Sequence, residues 1–391
     1  MSNPRRIVTT EPENSETPLD KAGSWVTPNR LFFVRNHFAV PQVDAAAWRL
    51  RIEGCVDRPR EWSLDELNTL PERTVFSTME CAGNGRSFLV PHVHGVQWGA
   101  GAVGHAEWTG VPVRLLLEQS GLQPETKEIL FEGLDSGRES DHPDVLTFAR
   151  SLPLEKALHR DTLLVTKMNG EPLEAIHGAP VRLLVPGWYG VASVKWLGRI
   201  AALDHSFHGY YQSKKYTIQQ RMPDGATKKV VVGPMAVKSE IIRPHADEKL
   251  GLGTNRIFGV AWAGQEAIAR VEVSVDGGKT WADAELLGPQ APYSWSLWEY
   301  LWEVAEPGAY TILARATSAG GRVQPGSHDP LLGGYQIHFS RPRHVAVERQ
   351  KRSDDRRADL GTLLYDMNAF AEENVRLALD VELEVMEGAG I

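Results

Sequence analysis

The pattern of apolar residues changes at about residue 235, and this change divides the chain into two kinds of fold. Beyond it, residues 257–262, 269–275 and 310–316 alternate apolar and polar side chains, as half-buried β-strands do. The Asp-Gly-Gly sequence at residues 276–278 is a hairpin turn signal. Strands and glycine turns at this spacing predict a β-sandwich of about 100 residues.

The preceding region mixes short strands with short helices. Ser63 with Glu66 three residues later forms a capping-box pattern, and residues 112–121 have proline in the first turn and glycine at the end of a helix. Strand-like runs occupy residues 31–34, 74–78, 129–131 and 181–185. Because no regular β-α-β alternation links them, we expect an α+β domain.

The two ends of the chain differ from these domains. Residues 1–24 are polar and rich in Pro, Glu and Thr, which predicts a flexible arm. A charged stretch begins near residue 348 and leads into a helix-like stretch at residues 360–379. The expected boundaries are therefore an arm at 1–24, an α+β domain at 25–234, a sandwich at 235–340 and a C-terminal extension at 341–391.

Charge and hydropathy narrow the classes of partner. The net charge is −8, and no block of Lys and Arg stands out within residues 1–340, which argues against nucleic acid or an anionic membrane as partner. A small anionic substrate remains compatible because the field of a pocket is local. No run approaches the roughly 20 apolar residues of a membrane span. No apolar stretch follows Arg5 and Arg6, so we expect a cytoplasmic protein, or a periplasmic one if an export signal precedes this sequence.

Cysteine is rare, and one of the two cysteines has an unusual setting. Cys55 lies in a strand-like run and is expected to be a buried structural thiol. Cys81 lies where a strand-like run breaks into a Gly- and Asn-rich turn, with Arg86 five residues later. A nearby cation favours the thiolate, which is both a nucleophile and a metal ligand. Cys81 is thus either a covalent catalyst or the single thiolate ligand of a metal.

Several polar motifs occur at strand ends and loops of the first domain. They are Phe33-Val34-Arg35-Asn36-His37, the Cys81 turn with Arg86, Glu132-Gly133-Leu134-Asp135, His177 with Arg182, Ser193-Val194-Lys195, and Tyr216. Together they bring cations, imidazoles and a carboxylate into loops that we expect to converge. A large anionic cofactor with many hydrogen-bonding atoms needs such a set.

These motifs, from about Arg30 to Gln336, resemble those of the sulfite oxidase family of molybdenum enzymes. The resemblance implies an α+β molybdopterin-binding domain followed by an immunoglobulin-like β-sandwich through which two copies form a homodimer. It implies molybdenum and molybdopterin as cofactors, with Cys81 as the protein's metal ligand and the other ligands supplied by the cofactor dithiolene and by oxygen. The implied cofactor-binding residues are Phe33, Val34, Arg35, Asn36, His37, Asp135, His177, Arg182, Ser193, Val194 and Lys195.

The resemblance also implies a reaction, the oxidation of sulfite to sulfate by oxygen-atom transfer. Arg35, Cys81 and Tyr216 would be the catalytic residues, and Arg35, Arg86, His94 and Trp98 would bind the substrate. The sequence shows no haem-binding or flavin-binding segment, so electrons would pass to a separate acceptor such as a cytochrome c-like protein.

Two positions depart from the animal sulfite oxidases. His94 stands where they have a lysine, and Ser296 stands where they have an arginine, so attraction for a divalent anion is weaker. Three alternatives therefore stay open. The chain could act on another small oxyanion or a sulfoxide, it could be a non-catalytic partner subunit, or Cys81 could be a hydrolase nucleophile with His92 or His94 as base.

Overall fold

The computed structural model describes residues 4–21 and 24–349, which form two compact units. The first unit contains residues 4–21, 26–236 and 327–338, and the second contains residues 24–25, 237–326 and 339–349. Each unit contains its own sheets. No helix among the described residues is both long enough and apolar enough to cross a membrane.

Within the described residues, the first unit contains fourteen strands and three short α-helices. The strands are β1 (Arg6–Thr10), β2 (Glu13–Glu16), β3 (Arg49–Gly54), β4 (Arg60–Ser63), β5 (Arg73–Glu80), β6 (Val103–Pro112), β7 (Glu128–Arg138), β8 (Val145–Pro153), β9 (Leu163–Met168), β10 (Glu171–Pro172), β11 (Arg182–Leu184), β12 (Leu197–Leu203), β13 (Thr217–Arg221) and β14 (Thr227–Val231). The helices are α1 (Leu64–Leu67), α2 (Val113–Ser120) and α3 (Leu154–Ala157).

Two five-stranded sheets organise this unit. One has the order β10-β9-β6-β5 with β11 also paired to β9, and the other has the order β4-β3-β12-β7-β8. Only the β3–β12 pairing in these sheets is parallel. The short helices follow their local signals, since Ser63 and Glu66 form the expected capping box and Gly121 ends α2 in the left-handed region. The α+β prediction is confirmed.

Residues 6–16 do not form a flexible arm. They form the β1–β2 hairpin, and Asn14, Ser15 and Glu16 are buried. Ser15 exchanges backbone hydrogen bonds with Val34 at 3.0 and 2.8 Å, so the hairpin is fixed by a contact that is remote in sequence. The strand predicted at residues 31–34 is also wrong, because a 3-10 helix at Asn29–Leu31 leads into the extended loop that meets this hairpin.

The second unit is a β-sandwich, as predicted. Its strands are β15 (Lys238–Arg243), β16 (Lys249–Gly251), β17 (Gly253–Trp262), β18 (Ile268–Ser274), β19 (Ala282–Asp283), β20 (Glu285–Leu287), β21 (Ser296–Val304), β22 (Gly308–Ser318) and β23 (Arg343–Glu348). The sheets have the orders β15-β17-β21-β20 and β16-β23-β22-β18-β19. Ile257 and Trp298 from the first sheet and Val271 and Ile312 from the second share one core and are each 0% exposed.

The unit boundaries differ from the expected domains in two places. Residues 327–338 belong to the first unit although they follow most of the sandwich in sequence. The sandwich continues beyond residue 340, because β23 pairs with β16 and β22. The helix-like stretch at residues 360–379 lies outside the described residues.

Candidate active site

A cavity of about 660 Å³, including its open mouth, lies in the first unit. Its wall brings together most of the predicted site residues, which come from six separate stretches of the chain. They are Phe33, Val34, Arg35, Asn36, His37, Cys81, Asp135, His177, Arg182, Ser193, Lys195 and Tyr216. Polar groups that converge on one concave site from separate parts of the chain are typical of a ligand-binding site.

Cys81 follows directly after β5, and the turn that follows is fixed by hydrogen bonds. The Cys81 N–H donates to the Ala102 carbonyl at 2.9 Å, and the Asn84 N–H donates to the Cys81 carbonyl at 2.9 Å. Nδ2 of Asn84 donates to the Glu80 carboxylate at 3.0 Å, and the Ala102 N–H donates to Oδ1 of Asn84 at 3.0 Å. Asn84 therefore fixes the turn, and this places the Cys81 thiol in the cavity wall.

Burial raises the pKa of the Cys81 thiol above its usual value. Arg35 and a hydrogen bond from the Gly83 N–H act in the opposite direction but do not outweigh burial. A nearby cation therefore favours the Cys81 thiolate, as the sequence predicts, but burial outweighs it. A metal ion would displace this proton, because thiolate is the form that coordinates.

Arg35 lies beside both Cys81 and Tyr216. Burial opposes the charged guanidinium, but Tyr216 and Cys81 outweigh it, and the pKa of Arg35 lies above its usual value. Nη1 of Arg35 donates to Oδ1 of Asn14 at 3.3 Å and to the carbonyl of Asn36. The guanidinium is thus a fixed positive charge, oriented in part by the N-terminal hairpin.

Tyr216 is held among aromatic rings. Its hydroxyl oxygen lies 2.6 Å from Nε2 of His37, and its ring centroid lies 5.1 Å from that of Tyr335. Burial raises the pKa of Tyr216 to about 12, with Arg35 opposing the shift. Burial, with Arg35 and Lys195, holds the pKa of His37 well below its usual value. Both partners are therefore neutral near pH 7.

A second group in the wall, the cationic group, consists of the basic side chains of Arg182, His177 and Lys195. Arg182, His177 and Asp135 are each no more than 4% exposed, and Lys195 donates to the side-chain oxygen of Asn36 and to the Ile176 carbonyl. Burial lowers the pKa of Arg182 to about 9, and burial together with Lys195 and Arg182 lowers that of His177 to about 3. Burial and Arg182 also hold the pKa of Lys195 well below its usual value. Burial and neighbouring cations therefore disfavour the charged forms of His177 and Lys195, and a bound anion would oppose this effect.

Four predicted site residues are absent from the cavity wall. Val194 and Trp98 are 0% exposed and lie in the core, whereas His94 is exposed. Arg86 is buried, and its guanidinium donates to the Gly334 carbonyl at 3.0 and 2.8 Å and to the Val96 carbonyl at 2.9 Å. Arg86 therefore ties the Cys81 turn to two other loops.

Sequence reasoning missed several residues of the site. Met79, Phe148 and Trp196 also line the cavity. Tyr335 comes from the returning segment at residues 327–338, and its hydroxyl accepts a hydrogen bond from the Tyr216 N–H at 3.3 Å. The sequence gives no local signal for Tyr335, since its partners are more than one hundred residues away.

The cavity wall therefore brings together one buried thiol, a charged arginine, a phenol and a group of basic side chains. The family model described as "Oxidoreductase molybdopterin binding domain" matches residues 37–211, and that described as "Mo-co oxidoreductase dimerisation domain" matches residues 229–334. The chain therefore belongs to the class of molybdopterin oxidoreductases.

Relatives define the family more narrowly. Rat mitochondrial sulfite oxidase (Rattus norvegicus) is 35% identical over 344 residues, covering 83% of this chain and 62% of the relative. Chicken sulfite oxidase (Gallus gallus) is 35% identical and is covered to 74% of its length. The sulfane dehydrogenase SoxCD from Paracoccus pantotrophus superposes with a TM-score of 0.76 at 29% identity, covering 88% of both chains.

The chain belongs to the sulfite oxidase family of molybdopterin-dependent oxidoreductases and carries the family's dimerisation domain. It spans about 62% of the length of the mammalian relatives that it matches.

The residues of the cavity fit a molybdopterin that carries molybdenum. Nε of Arg182 is buried without a hydrogen-bond partner, so an acceptor is lacking beside the cationic group. The described cavity wall has one carboxyl group, Asp135, beside the basic side chains of Arg35, Arg182 and Lys195. Burial raises the pKa of Asp135 to about 6. Within residues 4–21 and 24–349, no cluster of three or more His, Cys, Asp or Glu side chains could hold a metal.

Proposed function

We propose that this protein oxidises sulfite to sulfate and passes the electrons to an external acceptor. The observation that carries the proposal is the placement of the Cys81 thiol, the Arg35 guanidinium and the Tyr216 phenol in the wall of one cavity. When bound, molybdopterin supplies the oxygen-atom transfer and the two-electron redox chemistry through its molybdenum. Cys81 would be the protein's ligand to that metal, since soft thiolates suit metals of this kind.

Arg35 and Tyr216 would act on the substrate. Arg35 is charged and held by Asn14 and the Asn36 carbonyl, so it would bind an anion with little loss of side-chain freedom. Tyr216 keeps its proton near pH 7 because its pKa is about 12, so it would donate a hydrogen bond to an oxygen of the substrate or the cofactor.

The cationic group would hold the phosphate of the cofactor. Arg182 has a free Nε–H, and Lys195 and His177 line the same wall. A phosphate dianion would raise the pKa of Lys195 and His177 from their depressed values, because it favours their charged forms. Phe33 and Trp196 would contribute apolar wall for the pterin.

The substrate site would have fewer cations than the site of the animal sulfite oxidases. His94 is exposed and outside the cavity wall, and Ser296 donates a hydrogen bond to Oε1 of Gln290 at 2.6 Å. Three hydrogen bonds from Arg86 go to the Gly334 and Val96 carbonyls, and Arg86 does not line the cavity. Arg86 would therefore act on the substrate mainly through its charge, and Arg35 would carry most of the anion binding.

A second substrate class has specific support. The sulfane dehydrogenase SoxCD matches 88% of this chain, and the missing cations at His94 and Ser296 reduce the preference for a divalent anion. Oxidation of a sulfane sulfur is therefore the second candidate reaction. Other small oxyanions and sulfoxides are the next candidate substrates.

Reduction of ferricyanide by the purified protein tests the proposal. Sulfite is expected to support turnover at a kcat/KM at least tenfold above that for thiosulfate, which carries a sulfane sulfur. Faster turnover with thiosulfate would favour the second candidate. Activity with neither compound, in protein that contains about one molybdenum per chain, would contradict both.

The dimerisation domain supports a homodimer as the functional unit, and the electron acceptor would be a separate protein such as a cytochrome c. We propose the cytoplasm as its location. Analytical ultracentrifugation tests the dimer, and cytochrome c reduction under sulfite tests the acceptor.

A further inference from the structure

Arg150 is a buried cation for which the proposed reaction has no direct use. It lies on β8, is 1% exposed and forms no ion pair with any carboxylate within the described residues. Its Nε has no hydrogen-bond partner, and burial lowers its pKa to about 10. Burial of an unpaired charge is unfavourable unless hydrogen bonds compensate for it.

The two hydrogen bonds of Arg150 bracket Tyr216 in the chain. Nη1 donates to the carbonyl of Tyr211, in the π-helix Tyr210–Lys214, at 2.5 Å, and Nη2 donates to the carbonyl of Val232 at 3.0 Å. The Val232 N–H in turn donates to the carbonyl of Tyr216 at 2.8 Å. The Arg150 guanidinium therefore fixes the segment that precedes Tyr216 in the chain, and also the segment that forms a hydrogen bond with the Tyr216 backbone.

The backbone of Tyr216 needs such support. Its φ is +37°, a left-handed conformation that L-residues with large side chains rarely adopt. A residue in this region stays there only when its surroundings over-determine its position. The Arg150 guanidinium also lies 5.8 Å from the centroid of the Tyr216 ring, within the range of a cation–π contact.

We propose that Arg150 is a positioning residue that holds the Tyr216 phenol beside Arg35 and His37. The proposal rests on the proposed function only for the claim that Tyr216 acts on the substrate. Arg150 does not line the cavity, so it acts through Tyr216 and not on substrate or cofactor.

Fluorine NMR of protein carrying 3-fluorotyrosine measures the position of Tyr216 directly. The chain has nine tyrosines. The resonance that is absent from the spectrum of Tyr216→Phe is the resonance of Tyr216. Arg150→Met removes the charge and both donors at similar length, whereas Arg150→Lys keeps the charge. Arg199→Met is the matched control, because Arg199 is an arginine of the same unit that pairs with Glu53 and Glu132.

Arg150→Met is expected to shift or split the Tyr216 resonance and to lower kcat on the order of 10²-fold, since a small misplacement of a reacting group has effects of this size. KM for sulfite should change less, because Arg35 is untouched. Arg150→Lys should restore part of kcat and shift the resonance less, and Arg199→Met should change neither. If Arg150→Met does not fold, Arg150→Lys still tests the proposal through its shift.

An unmoved Tyr216 resonance in a folded Arg150 variant would overturn the proposal, and loss of thermal stability alone would then assign Arg150 a structural role. Failure of the proposed function would appear in a different measurement, as the absence of sulfite turnover by the wild-type protein. The NMR result does not depend on that turnover.

Discussion

The hydroxyl oxygen of Tyr216 and Nε2 of His37 lie 2.6 Å apart, between two groups that burial keeps neutral. His37 is itself fixed, because its ring stacks on Phe148 with centroids 4.4 Å apart. The phenol is therefore oriented by a rigid partner and also lies beside the charge of Arg35.

Tyr216→Phe should lower kcat for sulfite about 10²-fold, the usual effect of losing a hydrogen-bond donor that acts in the transition state. Steady-state reduction of ferricyanide measures this loss. Molybdenum content should stay at the wild-type value, because the aromatic ring remains in the wall and only the hydroxyl is lost. Full turnover in this variant would remove Tyr216 from the mechanism.

Arg182→Met should reduce the cofactor content of the purified protein. The variant removes a buried cation whose Nε–H has no protein partner, and a charge-assisted hydrogen bond contributes about 1.5–3 kcal/mol. Metal analysis should show at least a tenfold loss of molybdenum, whereas Arg199→Met should keep wild-type content. Equal content in the two variants would contradict the assignment of the cationic group to the cofactor phosphate.

Gly83→Ala should destabilise the Cys81 turn. A Cβ at this position would lie 2.5 Å from Nη2 of Arg86, and the carbonyls of Gly334 and Val96 hold that guanidinium in place. We expect a loss of about 1–3 kcal/mol in the free energy of unfolding. Gly326→Ala is the control, since its Cβ would meet nothing within 4 Å. Equal unfolding midpoints for the two variants in urea would show that Arg86 can move.

Glu240→Gln tests a buried ionic cluster in the sandwich. Burial alone would raise the pKa of Glu240, but Arg341 and Lys238 outweigh it and hold that pKa below 4.5. The unfolded chain therefore binds more protons than the folded one as pH falls below about 4.5, so the stability from this carboxylate is complete above that pH and is lost below it.

At pH 7 the Glu240→Gln variant should lose about 3–5 kcal/mol of unfolding free energy, as expected for breaking a buried pair. Glu299→Gln should lose within about 1 kcal/mol, because its partner Arg256 is 48% exposed. Urea titrations at pH 7 and pH 4 should show the gap between the variants narrowing at the lower pH. A gap that does not change with pH would contradict the role of Glu240 as an ionised partner.

Local signals in the sequence predicted local structure well. The capping box of Ser63 and Glu66 and the glycine end at Gly121 depend on a few neighbouring residues, and the structure contains both. The hairpin at residues 6–16 was missed because the Ser15–Val34 contact that fixes it is not local. The strand predicted at residues 31–34 failed for the same reason, since that segment serves as a loop against the hairpin.

The site shows the same division. Motifs located most of the cavity wall, from Arg35 to Tyr216, because each motif lies at the end of a strand or in a loop. Arg150 and Tyr335 were missed because their importance arises only from their contacts with Tyr216. Arg86 was found, but its bonds to Gly334 and Val96, which change its role, could not be read from the sequence.

The proposed function depends most on Cys81 as the protein's ligand to molybdenum. X-ray absorption at the molybdenum edge, on wild-type protein and on Cys81→Ser loaded with cofactor, counts the sulfur neighbours of the metal. We expect the variant to lose one sulfur neighbour and its sulfite turnover together. An unchanged number of sulfur neighbours in Cys81→Ser would contradict it.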